Sequence, residues 1–320
     1  MKAAVIREVG AAPRYEEFPD PSPLAGETSV RVSAAAVVPL ALLRASGAAY
    51  GAAPRPPFVP GVDGVGRTED GRRVYFSMPR PPYGSLGERV PVPADRLIPL
   101  PDGLDDVTAA AAANAGMSCW VPLTTLAPIR PGESVLVHGA TGTSGRMAVQ
   151  VARHLGAAHV IATGRDPAAL AAVRSLGADE VVPLDGAPDL SDRLRRLARA
   201  TDLGVVLDYL WGPPAATLLT ALGGPEAPRG PRRIRFVQIG SLAGPTVPLD
   251  AALLRSSGVE LLGSGLGSSS PATLAAGIRD FLAAFPGAGF RVDTEVRPLS
   301  EIERHWGRTG GARRLVFSVP

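Results

Sequence analysis

Three glycines spaced by threes, Gly139, Gly142 and Gly145, interrupt the stretch "VLVHGATGTSGRMAVQVARHLGAAHVIATGRD" between an apolar run and an alanine-rich helical pattern. They restrict the fold more than any other feature of the chain. A strand that ends in closely spaced glycines and passes at once into a helix needs a tight backbone turn that side chains would obstruct. Met147, Val151 and Leu155 stand four apart with Ala148 and Ala152 beside them, so the helix, expected to start near Ser144, buries one face.

The same alternation continues along the chain. From Ser134 onward, "SVLVHG", "HVIAT", "DEVVPL", "LGVVLDYL", "IRFVQIG" and "VELLGSG" alternate with helical patterns. These runs are short, rich in Val and Ile and not strictly alternating, as expected of parallel strands covered on both faces by crossover helices. The reading is an α/β domain with a doubly wound sheet of six strands. "PAALAAVRSLG" reads as a helix that opens at Pro167 and closes at Gly177. The first 125 residues differ: "TSVRVSAAAVV" and "RRVYFSM" are strand-like and are separated by "PDPSPLAG", "RPPFVPGVDG" and "MPRPPYGS". That pattern predicts an antiparallel, turn-rich unit. The tail, "RVDTEVRPL" and "ARRLVFSVP", is strand-like again and is expected to return to the first unit. A chain of 320 residues suits two domains.

Composition removes several classes of function. "MKAAVIREVG" is broken by Arg7 and Glu8, so it does not read as a secretory signal, and a cytoplasmic location is expected. No run reaches the roughly 18 apolar residues of a membrane span; "TAAAAANAG" from Thr108 is merely alanine-rich. A net charge of +3 does not argue for nucleic acid, and "APRGPRRIR", the one basic cluster, reads as a solvated loop. Lys2 is the only lysine, which removes Schiff-base catalysis. Cys119, the single cysteine, removes disulfides within the chain and thiolate-rich zinc sites, and it reads as a small core residue. His138, His154, His159 and His305 have no metal-ligand spacing, and no metal is expected.

The glycine loop in this context reads as a cradle for a dinucleotide pyrophosphate. Free N–H groups and the positive end of the helix would meet the phosphate charge, with Thr141, Thr143 and Ser144 as further donors beside Gly139, Ala140, Gly142 and Gly145. The end of the second strand, Thr163, Gly164 and Arg165, selects the dinucleotide. Gly164 stands where an NAD site carries its acid and Arg165 follows, so NADPH is favoured. A shift of two residues would make Asp166 the ribose acid of an NAD site; its other reading is the cap of the helix at Pro167. A methyltransferase loop for S-adenosylmethionine is disfavoured by Arg165 and by the β-rich first unit.

In order along the chain, "PGVDGVG", "YGSLGERVPVPADRLIPLPDGL", "RPGESVLVHGATGTSG", "LGADEVV" and "FVQIGSLAG" resemble the zinc-free quinone oxidoreductases of the medium-chain dehydrogenase/reductase superfamily. The resemblance covers the whole chain. It implies a GroES-like β-rich domain from 1–124 with 266–320 and a Rossmann domain from 125–265. The zinc ligands of related alcohol dehydrogenases would fall on Val38, Val62 and Asn114, none of them a good ligand. Such oxidoreductases often have asparagine where Val38 stands, and a tyrosine and basic residue that help hold NADPH have no counterpart here.

The resemblance also implies that Tyr50 reaches the substrate, where its hydroxyl would orient or protonate a reduced carbonyl. It puts Ser118 near the nicotinamide; the plain alternative is a helix-initiating serine. Ile239, Gly240 and Ser241, at the carboxyl end of the fifth strand, are expected to turn their backbone to the nicotinamide, and Gly265 to do likewise or to serve in a hinge. The implied activity is hydride transfer from NADPH to a small-molecule electrophile, a quinone or activated enone, by a homodimer. A catalytically silent NADPH-binding sensor or structural protein is the alternative.

Overall fold

The computed structural model describes residues 1–48, 54–185, 189–223, 233–308 and 313–320. The chain divides into two compact units, Met1–Asn114 with Ile278–Pro320, and Ala115–Gly277. The divisions fall inside two continuous helices, Asp106–Val121 and Pro271–Ala288.

The first unit begins with β1 (Lys2–Val5), β2 (Arg14–Glu17), β3 (Glu27–Ala36) and α1 (Pro39–Ala45). It continues through β4 (Asp63–Thr68), β5 (Arg73–Ser77), β6 (Arg89–Pro93) and β7 (Leu97–Pro99) to α2 (Asp106–Val121). The alanine run from Thr108 lies in α2, where Ala109 to Ala113 are almost completely buried, as befits a helix apolar on every side. β3 is the backbone of this unit: it pairs antiparallel with β4 and β6 and bulges between Val32 and Ala34. Gly66 fits opposite that bulge because a Cβ there would stand 2.7 Å from a Val30 methyl.

The second unit holds β8 (Ser134–His138), α3 (Thr143–His154), β9 (His159–Gly164), α4 (Pro167–Arg174), β10 (Glu180–Pro183) and α5 (Leu190–Ala200). It goes on with β11 (Leu203–Asp208), α6 (Gly212–Gly223), β12 (Ile234–Gln238), α7 (Ala251–Ser256) and β13 (Val259–Gly263). Among the described residues its sheet has six strands, all parallel, in the order β10-β9-β8-β11-β12-β13. The six apolar runs found in the sequence are these strands. β8 and β11 are buried at every position, which explains their failure to alternate. Leu136, Ile161, Val206 and Phe236 share one core cluster with Leu218 and Leu222 of α6.

α8 (Pro271–Ala288), β14 (Thr294–Pro298), α9 (Ile302–His305) and β15 (Arg314–Ser318) complete the chain. β15 pairs antiparallel with β3, Val316 opposite Ala36, so the tail does rejoin the first unit. β14 runs parallel to β15, the exception in an otherwise antiparallel sheet. Phe76, Phe317, Leu86 and Ile302 lie at the centre of this unit's core.

An ion pair locks the amino-terminal side of the parallel sheet. Arg235 of β12 reaches Glu133, just before β8, with side-chain exposures of 7% and 10%. Arg235 Nε also donates to the Gly204 carbonyl at 3.2 Å, and Glu133 Oε2 accepts from the Arg130 N–H at 2.8 Å. Three adjacent strands are thereby tied through one guanidinium. Glu133→Ala leaves that cation buried without its anion, and the expected loss in denaturant unfolding is about 3–5 kcal/mol; a loss below about 1 kcal/mol would assign the pair no structural weight.

Candidate functional site

β8 and β11 are neighbours in the second unit's sheet, yet the chain leaves them in opposite directions, β8 towards β9 and β11 towards β12. The carboxyl ends of such a pair form the crevice where open α/β sheets take ligands. The glycine loop lies there, and its three glycines answer to three different constraints. Gly139 has φ +90°, and a Cβ on it would stand 2.8 Å from a Leu210 methyl. Gly145 abuts the loop itself: a Cβ would lie 2.6 Å from the Ala140 Cα. Gly142 has ordinary extended geometry, φ −81° and ψ 171°, and a Cβ there would meet nothing within 4 Å. The first glycine therefore makes the turn, the third lets α3 pack on the end of β8, and the second faces open space.

Gly142 is also the N-cap of α3 and supplies no side-chain hydrogen bond. The first N–H groups of a helix have no partner within it, so those of Thr143, Ser144 and Gly145 form the positive end of a twelve-residue helix. Arg146 Nε steadies the loop by donating to the Thr141 carbonyl at 3.0 Å. Thr163 braces it from below: its Oγ1 accepts from the Gly139 N–H at 3.2 Å and pairs with His138 Nδ1 at 2.8 Å, while its carbonyl accepts from the Ala140 N–H at 2.7 Å. His138 and Thr163 are completely buried. Burial pushes the His138 imidazole down to about 4, so the ring is neutral at pH 7.

At the end of β9, the sequence reading treats Gly164 as clearing space for a phosphate. The structure gives this glycine a packing reason: a Cβ would stand 2.5 Å from the Thr141 methyl, so a larger residue requires that side chain to move. Arg165 is exposed, and among the described residues no side chain pairs with it. Asp166 caps α4 by accepting from the Ala168 N–H at 2.9 Å.

The other expected residues take varied positions. Ser118 lies well inside α2 rather than at its start; Oγ donates to the Ala115 carbonyl at 2.7 Å and meets Tyr209 Oη at 3.2 Å. The N–H groups of Ile239 and Gly240 both donate to the Asp208 carbonyl, at 2.8 and 3.1 Å, so they are not open to a ligand. Ser241 is exposed, and the Gly265 N–H donates to Ser268 Oγ at 2.7 Å in a tight turn. Tyr50 lies outside the described residues. Cys119 is buried and desolvation pushes its thiol far up, as expected of a core residue. Val38 and Val62 are buried hydrocarbon, and among the described residues no group of three or more His, Cys, Asp or Glu is placed to hold a metal.

Asp208 and Tyr209 were missed in the sequence. The signal available was an acid ending the otherwise apolar run "LGVVLD". Asp208 is opposite His138 in the sheet register, completely buried, and its carboxylate accepts from the N–H groups of Leu210 and Trp211. Burial raises its carboxyl to about 6, against the pull of those two N–H groups.

A family model described as "Zinc-binding dehydrogenase" matches residues 145–283. A probable NADPH-dependent quinone reductase of Emericella nidulans is 33% identical over 283 residues, 76% of each chain. The chain belongs to the quinone oxidoreductase branch of the medium-chain dehydrogenase/reductase superfamily. Solved members include the quinone oxidoreductase of Thermus thermophilus, determined also with NADPH, which is 31% identical over 99% of this chain and 100% of its own at a TM-score of 0.80. The quinone oxidoreductase of Pseudomonas syringae pv. tomato is 25% identical over 98% and 99%, with a TM-score of 0.84. Half of the chain also matches 7% of the length of the Mycobacterium tuberculosis phthioceranic/hydroxyphthioceranic acid synthase at 34% identity.

The buried carboxyl gives a prediction with a definite sign. A folded-state value of about 6 against the ordinary 3.8 means that Asp208 stabilises the fold most below the lower value and loses that contribution as pH rises through the higher one. Relative to Asp208→Asn, the wild type should lose on the order of 2–3 kcal/mol between about pH 4 and pH 7. Parallel unfolding curves would refute the assignment.

Proposed function

We propose that this chain is an NADPH-dependent reductase that needs no metal and acts on a quinone or on the β-carbon of an activated enone. The observation that carries the reading is the division of labour among Gly139, Gly142 and Gly145 at the sheet's crossover point, in a chain related to NADPH-dependent quinone reductases. NADPH, when bound, supplies the hydride; the protein supplies placement and electrostatics. The open backbone at Gly142 and the N–H groups of Thr143 and Ser144 fit a pyrophosphate, and Thr141, Thr143 and Ser144 add hydroxyl donors.

Arg165 fits the 2′-phosphate, since it is unpaired among the described residues and guanidinium binds phosphate through a fork of donors. The Thr141 methyl supports the same choice, because the acid that an NAD site uses at position 164 would have to displace it. Ser118, held by Tyr209, is a hydroxyl for the nicotinamide end, and the exposed Ser241 and the turn at Gly265 are further contacts. Tyr50 is the proposed proton donor to the reduced carbonyl. Hydrocarbon side chains at Val38 and Val62 support the metal-free reading.

The chain is read as cytoplasmic, with neither nucleic acid nor membrane as a partner; no helix of the described residues is long and apolar enough to cross a membrane. A homodimer is favoured by β13, whose outer edge has no partner strand among the described residues and which carries Leu261 at 36% exposure.

The test is cofactor oxidation with a panel of quinones and enones, after dialysis against a strong chelator, for wild type and Arg165→Ala. Wild type should turn over and prefer NADPH. Arg165→Ala should weaken NADPH by about ten- to a hundredfold and leave NADH nearly unchanged. Tight NADPH binding with no acceptor reduced would make the chain a silent binding protein, and equal losses for both cofactors would remove Arg165 from the phosphate site.

A further inference from the structure

The glycine loop and the end of β9 meet at one side chain, Thr141. A Cβ on Gly164 would stand 2.5 Å from the Thr141 methyl; the next atoms it would meet are Leu170 Cδ2 at 3.2 Å and Leu170 Cγ at 3.5 Å. Gly164 is buried in β9 opposite Pro183 and has no positive φ, so its own backbone does not call for glycine. Leu170 offers the end of a flexible side chain, which needs to give by only a few tenths of an ångström. The Thr141 methyl is therefore the principal obstacle at this position, and every other atom of Thr141 lies at 3.5 Å or beyond.

Both backbones at the contact are tied down. The Thr141 carbonyl accepts from Arg146 Nε at 3.0 Å, the Ala140 N–H donates to the Thr163 carbonyl at 2.7 Å, and the Gly164 carbonyl accepts from the Leu184 N–H at 2.8 Å. Neither loop nor strand withdraws without breaking one of these bonds. Threonine is β-branched, so its χ1 has few positions into which the methyl could turn. Position 164 is also the place where an NAD site carries the acid that binds the ribose 2′-hydroxyl. Arg165 attracts a 2′-phosphate but excludes nothing; exclusion requires that the acid be kept out, and the group that does so belongs to the glycine loop.

We propose that Thr141 is a specificity-determining residue and that the pair Thr141–Gly164 sets the choice of NADPH over NADH, the Thr141 methyl filling the place of the ribose acid. Selection is then divided between an attraction, at Arg165, and an exclusion, at Thr141. The inference rests on the proposed cofactor site. Its consequence is that an acid at position 164 gains a ribose contact only when the methyl at position 141 is removed as well, so the two positions are coupled rather than additive.

The experiment is fluorescence titration of the full chain with NADPH and with NADH, beside thermal unfolding of the same samples. The proteins are wild type, Gly164→Asp, and Gly164→Asp combined with Thr141→Ala or with Thr141→Val. Valine keeps the methyl and drops the hydroxyl, whereas alanine drops both. Wild type should favour NADPH by about tenfold or more. Gly164→Asp alone should lower the unfolding midpoint by about 3 °C or more and bind both cofactors weakly. Adding Thr141→Ala should recover most of the midpoint and bind NADH about tenfold or more tightly than NADPH, because the carboxylate then accepts from the 2′-hydroxyl and repels the phosphate. Adding Thr141→Val should recover neither. If Gly164→Asp does not fold, Gly164→Ala, which adds the Cβ alone, is read by its midpoint in the same three backgrounds. Additive effects, or equal recovery by alanine and valine, in a wild type that prefers NADPH would overturn this inference alone. No NADPH binding by wild type would remove the proposed cofactor site and this inference with it.

Discussion

The candidate site depends on one close approach of backbone to backbone. α3 begins so near the end of β8 that a single methyl group at Gly145 would collide with Ala140. That contact aims the helix's first N–H groups at the crevice between β8 and β11, and it allows the chain to reverse within the few residues from Gly139 to Thr143. Thr163 makes the turn rigid from beneath, with three hydrogen bonds to His138, Gly139 and Ala140. The same residue therefore serves the neighbouring strand and the loop, and β9 cannot shift without carrying the loop with it.

Electrostatics act on the same few residues. The neutral His138 ring adds no charge beneath the loop, so the helix terminus is left as a source of positive potential there. The carboxylate of Asp208 is answered by the N–H groups of Leu210 and Trp211. Its carbonyl binds the N–H groups of Ile239 and Gly240. One residue thereby organises the turns that follow two adjacent strands, β11 and β12. Arg165, exposed beyond β9, is the complementary case: a charge that the described fold does not satisfy.

The strands, their parallel direction and the glycine loop were legible in the sequence because each rests on local periodicity or on residues a few positions apart. Six apolar runs became six strands, and the Pro167 start of α4 was visible with its Asp166 cap. What was not legible depends on contacts between distant segments. Gly164 is glycine because Thr141 packs on it, and Ser118 is tied to Tyr209, 91 residues away. No spacing rule shows that the N–H groups of Ile239 and Gly240 are spent on Asp208. The chain passes from one unit to the other within α2 and α8, which helical pattern alone does not reveal.

The central claim is that Gly142 leaves room for a ligand while Gly139 and Gly145 serve the fold. Gly142→Asn separates these roles most directly. The backbone there suits any residue, asparagine is a better N-cap than glycine, and its side chain would occupy both the open space and the helix's N–H groups. Fluorescence titration with NADPH, beside thermal unfolding of the same samples, reads the outcome. The account predicts an unfolding midpoint equal to or above that of the wild type, with NADPH affinity lowered by about tenfold or more. Wild-type affinity in a folded Gly142→Asn protein would contradict it.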